Sequence, residues 1–146
     1  MQETIPVHVR RVDTALPLPI YQTPGAVGFD LIVREDTSIN PWEIALVPCN
    51  LIVQTPPGYM LLVAARSSTP RRKGLLVPHG VGIIDQDYCG PDDEIRVQVL
   101  NFTSQPVVVK RGERIAQAIL VRIARAELVE SDTLPHQSRG GFGSTG

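Results

Sequence analysis

Proline and glycine divide this chain into short apolar runs, and that punctuation constrains the fold more than any other feature. Thirteen prolines and twelve glycines are spread over 146 residues, which leaves little room for a long helix. The intervening runs are rich in Val, Ile and Leu, side chains that suit a pleated surface. Ile5, Val7 and Val9 alternate with Pro6, His8 and Arg10, the period of a half-buried strand. Further strands are predicted over 26–33, 42–47, 51–54, 59–64, 94–101, 106–109, 115–123 and 127–129. Many short strands joined by Pro/Gly turns describe an all-β sandwich or barrel. At most one short helix is expected, over 67–74, where Ser67 and Ser68 precede Pro70, the basic run 71–73 and Gly74. That segment reads either as one or two helical turns with Ser67 and Ser68 at an anion-favouring end beside Arg66, or as a solvated basic turn.

The length fits one domain, with neither a repeat nor a linker in the chain. Aromatic residues make up only 5%, so the core must be largely aliphatic, and Trp42 is assigned to it or to a subunit interface. A net charge of -1 offers no basic footprint for nucleic acid and no polybasic membrane patch. No apolar run approaches a membrane span, and the first residues lack the pattern of a signal peptide. The expectation is a soluble cytoplasmic protein that binds neither nucleic acid nor membrane. Cys49 and Cys89 fit no disulfide framework and no common zinc spacing, and are read as two buried thiols in a reducing compartment.

The chemistry concentrates between Leu75 and Asn101. Two apolar runs, 75–77 and 81–84, flank Pro78-His79-Gly80 and read as strand, tight turn and strand. The second run ends in Asp85, Asp87 and Tyr88; beyond Gly90-Pro91, Ile95, Val97 and Val99 share one strand face. A carboxylate and an aromatic delivered together at a strand end form either a pocket wall or an ordinary turn with a packed ring. The last stretch, 131–146, is polar and glycine-rich with one aromatic, Phe142. It reads either as a disordered terminus or as a mobile lid. In the lid, glycine backbone N–H groups would approach phosphates, Arg139 would supply charge and Phe142 would stack on a flat ring.

Five stretches in chain order narrow these alternatives: 24–31 (PGAVGFDL), 65–68 (ARSS), 82–90 (GIIDQDYCG), 112–117 (GERIAQ) and 140–146 (GGFGSTG). Together they resemble the five-motif pattern of the trimeric dUTP diphosphatases, from about Ala26 to the C-terminus. The resemblance implies a distorted jelly-roll-type β-barrel over 1–130. It also implies a homotrimer, with the tail of one chain, 131–146, closing over a neighbour's site. The implied reaction turns dUTP and water into dUMP and pyrophosphate, limiting uracil incorporation into DNA and supplying dUMP for thymidylate synthesis. Mg2+ is expected on the triphosphate.

Residue by residue, the resemblance makes Asp85 the carboxylate that activates water and Tyr88 the ring under the deoxyribose that excludes a 2′-hydroxyl. It gives the hairpin backbone from His79 through Gly82 to Ile84 the uracil edge. Arg66, Ser67, Ser68 and Gln117 would contact phosphates, and Asp30 would act near the metal through water or by ordering its neighbours. Phe142 would stack on uracil, with Arg139, Gly143, Ser144 and Thr145 toward the terminal phosphates. Asp87 and Arg114 are assigned structural roles.

Two positions depart from the family pattern. His79 stands where many members carry asparagine, and Gln137 falls where the tail arginine is usual, with Arg139 two positions later. Thr69-Pro70-Arg71-Arg72 also replaces a more apolar stretch. The nearest alternative is dCTP deaminase or the bifunctional deaminase–dUTPase. It needs a proton-shuttling glutamate where this chain has Gln98. A non-catalytic binding protein of the same fold is a second alternative, one expected to have lost Asp85, Tyr88 or the tail.

Overall fold

The structure, a computed structural model, describes residues 3–146. Among them, eleven strands form four antiparallel sheets, accompanied by one short helix. β1 (His8–Arg11) pairs with β5 (Leu51–Gln54), and β3 (Thr37–Ile39) with β10 (Val107–Val109). A four-stranded sheet runs in the order β2 (Phe29–Asp30), β11 (Ala116–Arg122), β6 (Tyr59–Ala65) and β8 (Gly82–Ile84). A three-stranded sheet places β9 (Arg96–Asn101) between β4 (Ile44–Pro48) and β7 (Leu75–Leu76). The helix, α1, spans Thr69–Lys73. Among the described residues, no helix is long and apolar enough to cross a membrane.

The sheets enclose an aliphatic core, as the scarcity of aromatic residues requires. Leu31, Val33, Ile39, Val47, Leu61, Leu75 and Val109 are almost wholly buried, and Ile95, Val97 and Val99 point inward together. Cys49 lies in this core, where burial pushes its thiol up to about 12.

Several predicted strands are shorter than their apolar runs or take different partners. The run 26–33 is a ladder strand only over Phe29–Asp30, although the Leu31 and Val33 N–H groups still donate to Ala116 and Glu113 at 2.9 Å. Residues 127–129 form no strand and stand in solvent, because nothing in the same chain pairs with them. Trp42 is 70% exposed and therefore not core. It occupies a turn after Pro41 with φ +60°, a conformation that usually calls for glycine. Cys89 is only half-buried. The largest change concerns 75–84: β7 pairs with β9 and β8 with β6, so the two strands do not pair with each other. The Pro78–Gly80 turn instead carries the chain from one sheet to the other.

One buried ion pair fastens the segment that follows Tyr88. Glu94 is buried and accepts from Arg34 Nε at 2.7 Å, Arg34 Nη2 at 3.0 Å and the Asn50 N–H at 2.9 Å. This bidentate contact raises the Arg34 pKa, the hydrogen bond being the largest cause. Glu94→Ala is expected to destabilise the protein by about 3 kcal/mol, because it takes the buried bidentate acceptor from Arg34, which keeps only the exposed Glu35 at 3.3 Å, and leaves the buried Asn50 N–H without a partner. Urea unfolding checks this; a midpoint unchanged from wild type would mean the pair contributes nothing net.

Candidate functional site

Strand β6 carries the predicted polar groups near its two ends. At the Ala65 end, the pairing of β11 with β2 and β6 sets Gln117 opposite both Asp30 and Ala64. Arg66 follows directly, held by its N–H to the Ile115 carbonyl at 3.1 Å. Its side chain reaches Asp30 Oδ1 with Nε at 3.2 Å and the Arg114 carbonyl with Nη1 at 3.0 Å. Arg114 approaches the other Asp30 oxygen at 3.8 Å. The nearly buried Asp30 carboxylate is thus shared by two guanidinium groups, which suits a brace that aims Arg66. Gln117 Nε2 donates to the Ala65 carbonyl at 3.3 Å. Gly28 packs on it so closely that a Cβ there would stand 2.8 Å from the Gln117 side-chain oxygen, which accounts for a glycine within that stretch.

Ser67 and Ser68 open onto the same end. Ser68 holds the N-cap position by its backbone, yet its hydroxyl makes no capping bond, contrary to the capping expected from its residue type. With only five residues, α1 has little macrodipole to offer an anion. Thr69 Oγ1 anchors the turn by donating to the Ile115 carbonyl at 2.6 Å. Helix and basic turn are both present here: Arg71 and Arg72 face solvent, and Gly74 closes the helix at φ +68°.

The second group lies along β8. His79, Gly82, Ile83 and Ile84 line a cleft of about 190 Å³ together with Val63, Val77 and, from β4 and β9, Leu46, Arg96, Val97 and Gln98. It opens where the chain leaves the β7 sheet for the β8 sheet. Small-molecule sites typically enclose about 300–1,000 Å³, so this one has room for a base rather than a whole nucleoside triphosphate. Gly82 packs on Val63, where a Cβ would come within 3.3 Å of the valine Cβ. Asp85 follows the last ladder pair, Leu61 with Ile84, and its carboxylate is exposed. No hydrogen bond or ion pair holds that carboxylate among the described residues. The Tyr88 N–H donates to the Asp85 carbonyl at 3.3 Å and the Tyr88 hydroxyl to the Glu94 carbonyl at 3.4 Å, leaving the ring partly exposed.

One protomer does not bring these groups together. The β6–β8 ladder ends at Leu61 and Ile84; extended by one residue, its register sets Asp85 opposite Met60, with Arg66 six residues further along that chain. At strand rise their backbones are about 20 Å apart. Arg139, Phe142, Gly143 and Ser144 lie in the exposed tail, with Phe142 fully in solvent. Among the described residues no cluster of three or more His, Cys, Asp or Glu side chains is placed to hold a metal ion. The contributions of Leu46 and Arg96 to the cleft escaped sequence reasoning. They are distant in sequence from 79–84, and only the ladder between β4 and β9 brings them there.

The chain matches the family model described as dUTPase over residues 14–146. It is 42% identical to the deoxyuridine 5′-triphosphate nucleotidohydrolase of Thermobifida fusca, over 98% of this chain and 80% of that protein. Its fold is similar to that of the crystal structure of dUTPase from Streptococcus mutans, with TM-score 0.75 and 35% identity, over 82% of this chain and 98% of that one. It also resembles a dUTPase from phage phi11 of S. aureus in fold, with TM-score 0.79 and 19% identity, over 88% and 98% of the two chains; that structure describes the coordination of a structural Mg(II) ion.

Proposed function

The chain belongs to the dUTPase family, and from that premise we propose that it hydrolyses dUTP to dUMP and pyrophosphate at a site that adjacent subunits complete. The observation that carries this reading is the separation along β6. Asp85 lies toward the Tyr59 end, about 20 Å of strand from the end that holds Arg66, Ser67, Ser68 and Gln117, and the base-sized cleft, which reaches Val63, lies between them. A homotrimer resolves this by setting one subunit's Arg66 group against its neighbour's Asp85 group. Exposed apolar side chains at Trp42, Ile44, Leu46 and Phe102 support burial against other copies.

The reaction then follows from the groups. Uracil enters the cleft, where main-chain N–H and C=O groups from His79 to Ile84, the last three residues held by the β6 pairing, meet its polar edge. Rigid donors and acceptors leave a mismatched base unpaired, at a high cost. The Tyr88 ring lies under the deoxyribose and leaves no room for a 2′-hydroxyl. Arg66, braced by Asp30, and the uncapped Ser68 hydroxyl face the phosphates with Ser67 and Gln117. Asp85 accepts a proton from water as the water oxygen bonds to the α-phosphorus. The bond from that phosphorus to the α–β bridging oxygen breaks, and pyrophosphate leaves with its electron pair.

Magnesium fits this arrangement as a substrate-borne ion. Asp30 is engaged by two arginines, which leaves it a water-mediated or ordering role, and Mg2+ commonly retains waters and phosphate oxygens as ligands. When bound, it neutralises triphosphate charge. The tail supplies the remaining wall. Leu128, Leu134 and Phe142 contact little of their own protomer; on a neighbour, Phe142 would stack on uracil while Gly143, Ser144 and Arg139 approach the terminal phosphates. Gln98, which lines the cleft, carries an amide that serves as neither acid nor base near neutral pH, which weighs against cytosine deamination.

Pyrophosphate release from dUTP, dCTP, dTTP and UTP with Mg2+, run beside an ammonia assay, tests the reading. Pyrophosphate from dUTP alone, without ammonia, is expected. Ammonia from dCTP would overturn the role given to Gln98, and silence on all four would indicate a binding protein. Asp85→Asn should retain nucleotide binding while losing about 10²–10⁴ in turnover. Deleting residues 139–146 should cripple turnover and leave the fold intact; an unaffected rate would remove the lid from the mechanism.

A further inference from the structure

Gln86 adjoins Asp85 and has no role in the chemistry above, yet its side chain occupies a place the backbone has vacated. The β6–β8 ladder pairs Val63 with Gly82, Leu62 with Ile83 and Leu61 with Ile84, and ends there. Extended by two residues, that register sets Gln86 opposite Tyr59. Gln86 Nε2 donates to the Tyr59 carbonyl at 2.9 Å, so a side-chain amide meets the acceptor that a continuing strand would have paired. The main chain is released to turn, and the Asp85 carbonyl accepts the Tyr88 N–H instead.

We infer that Gln86 is a positioning residue for the water-activating carboxylate: it prolongs the β6–β8 ladder through its side chain and so fixes the turn that carries Asp85. The inference rests on the role given to Asp85 under Proposed function. The Asp85 carboxylate has no hydrogen-bond or ion-pair partner among the described residues, so its direction depends on the backbone on either side. Before it stands the last ladder pair; after it, the Gln86 amide is the contact that ties the turn back to β6. The tie has a firm base, because Tyr59 is itself fixed by its N–H to the Pro56 carbonyl at 3.2 Å, by pairing with Arg122, and by the Arg122 guanidinium 5.5 Å from its ring centre. A glutamine bonding only to satisfy a lone carbonyl would have no connection with turnover.

Gln86→Met keeps the length and removes the donor. Near-attack geometry is sensitive to displacements on the order of an ångström, so kcat should fall about 10-fold or more. KM and the affinity for a non-hydrolysable dUTP analogue should change little. The decisive readout is the cycle with Asp85→Asn: if Gln86 acts through Asp85, Gln86→Met should cost nothing further once the carboxylate is gone. A wild-type kcat in Gln86→Met, or an equal loss in both backgrounds, would overturn the inference while leaving the Asp85 assignment in place. Wild-type turnover in Asp85→Asn alone would overturn that assignment, and the inference with it.

Discussion

Strand β6 is hydrogen-bonded along both edges, to β11 on one side and β8 on the other, and the placement of the site depends on that double pairing. Central strands have no freedom to slip, because a one-residue shift would turn Leu61 and Val63 out of the core. The pairing therefore fixes Gln117 and Arg66 near one end and delivers Asp85 toward the other. It also fixes the distance between them. On the proposed reading, the two groups meet at one nucleoside triphosphate when copies of the chain are set against each other.

Rigidity of the strands is matched by economy at their ends. Asp30 sits at the end of a two-residue strand and braces Arg66. Glu94, buried against Arg34 and the Asn50 N–H, secures the chain beyond Tyr88 from below the loop. Asn101 does similar work on the far sheet. Fully buried, it donates to the Ile39 and Gln105 carbonyls and accepts from Thr103, so all of its polar atoms are satisfied. The loops beside the candidate site are thus tied to the barrel by buried polar side chains, while the Asp85 carboxylate stays open to solvent.

The fold class was legible because Pro/Gly spacing and Val/Ile/Leu alternation are local signals. Partners were not. The runs 75–77 and 81–84 look like two arms of a hairpin, since a short turn joins them, yet the first pairs with β9 and the second with β6, strands distant in sequence that no local signal names. Trp42 reads as core or subunit interface, and its place after Pro41 in a tight turn carries it outward, away from the core of its own protomer. Residues 127–129 have a strand's composition and no edge of their own protomer to join. The motif residues were readable as a set, whereas the bracing of Arg66 by Asp30 and the bond from Gln86 to Tyr59 depend on register, which sequence alone leaves free.

The central claim, that Asp85 and Arg66 act together only across a subunit boundary, is tested most directly by mixing two defective chains. Asp85→Asn and Arg66→Ala, each nearly inactive alone, would be unfolded together, refolded at equal ratio and assayed on dUTP. If each site takes Asp85 from one subunit and Arg66 from the next, random assembly restores both groups in about a quarter of the sites, and activity returns in that proportion. If the two residues serve one site within a single chain, every site stays defective and the mixture is no more active than its parts.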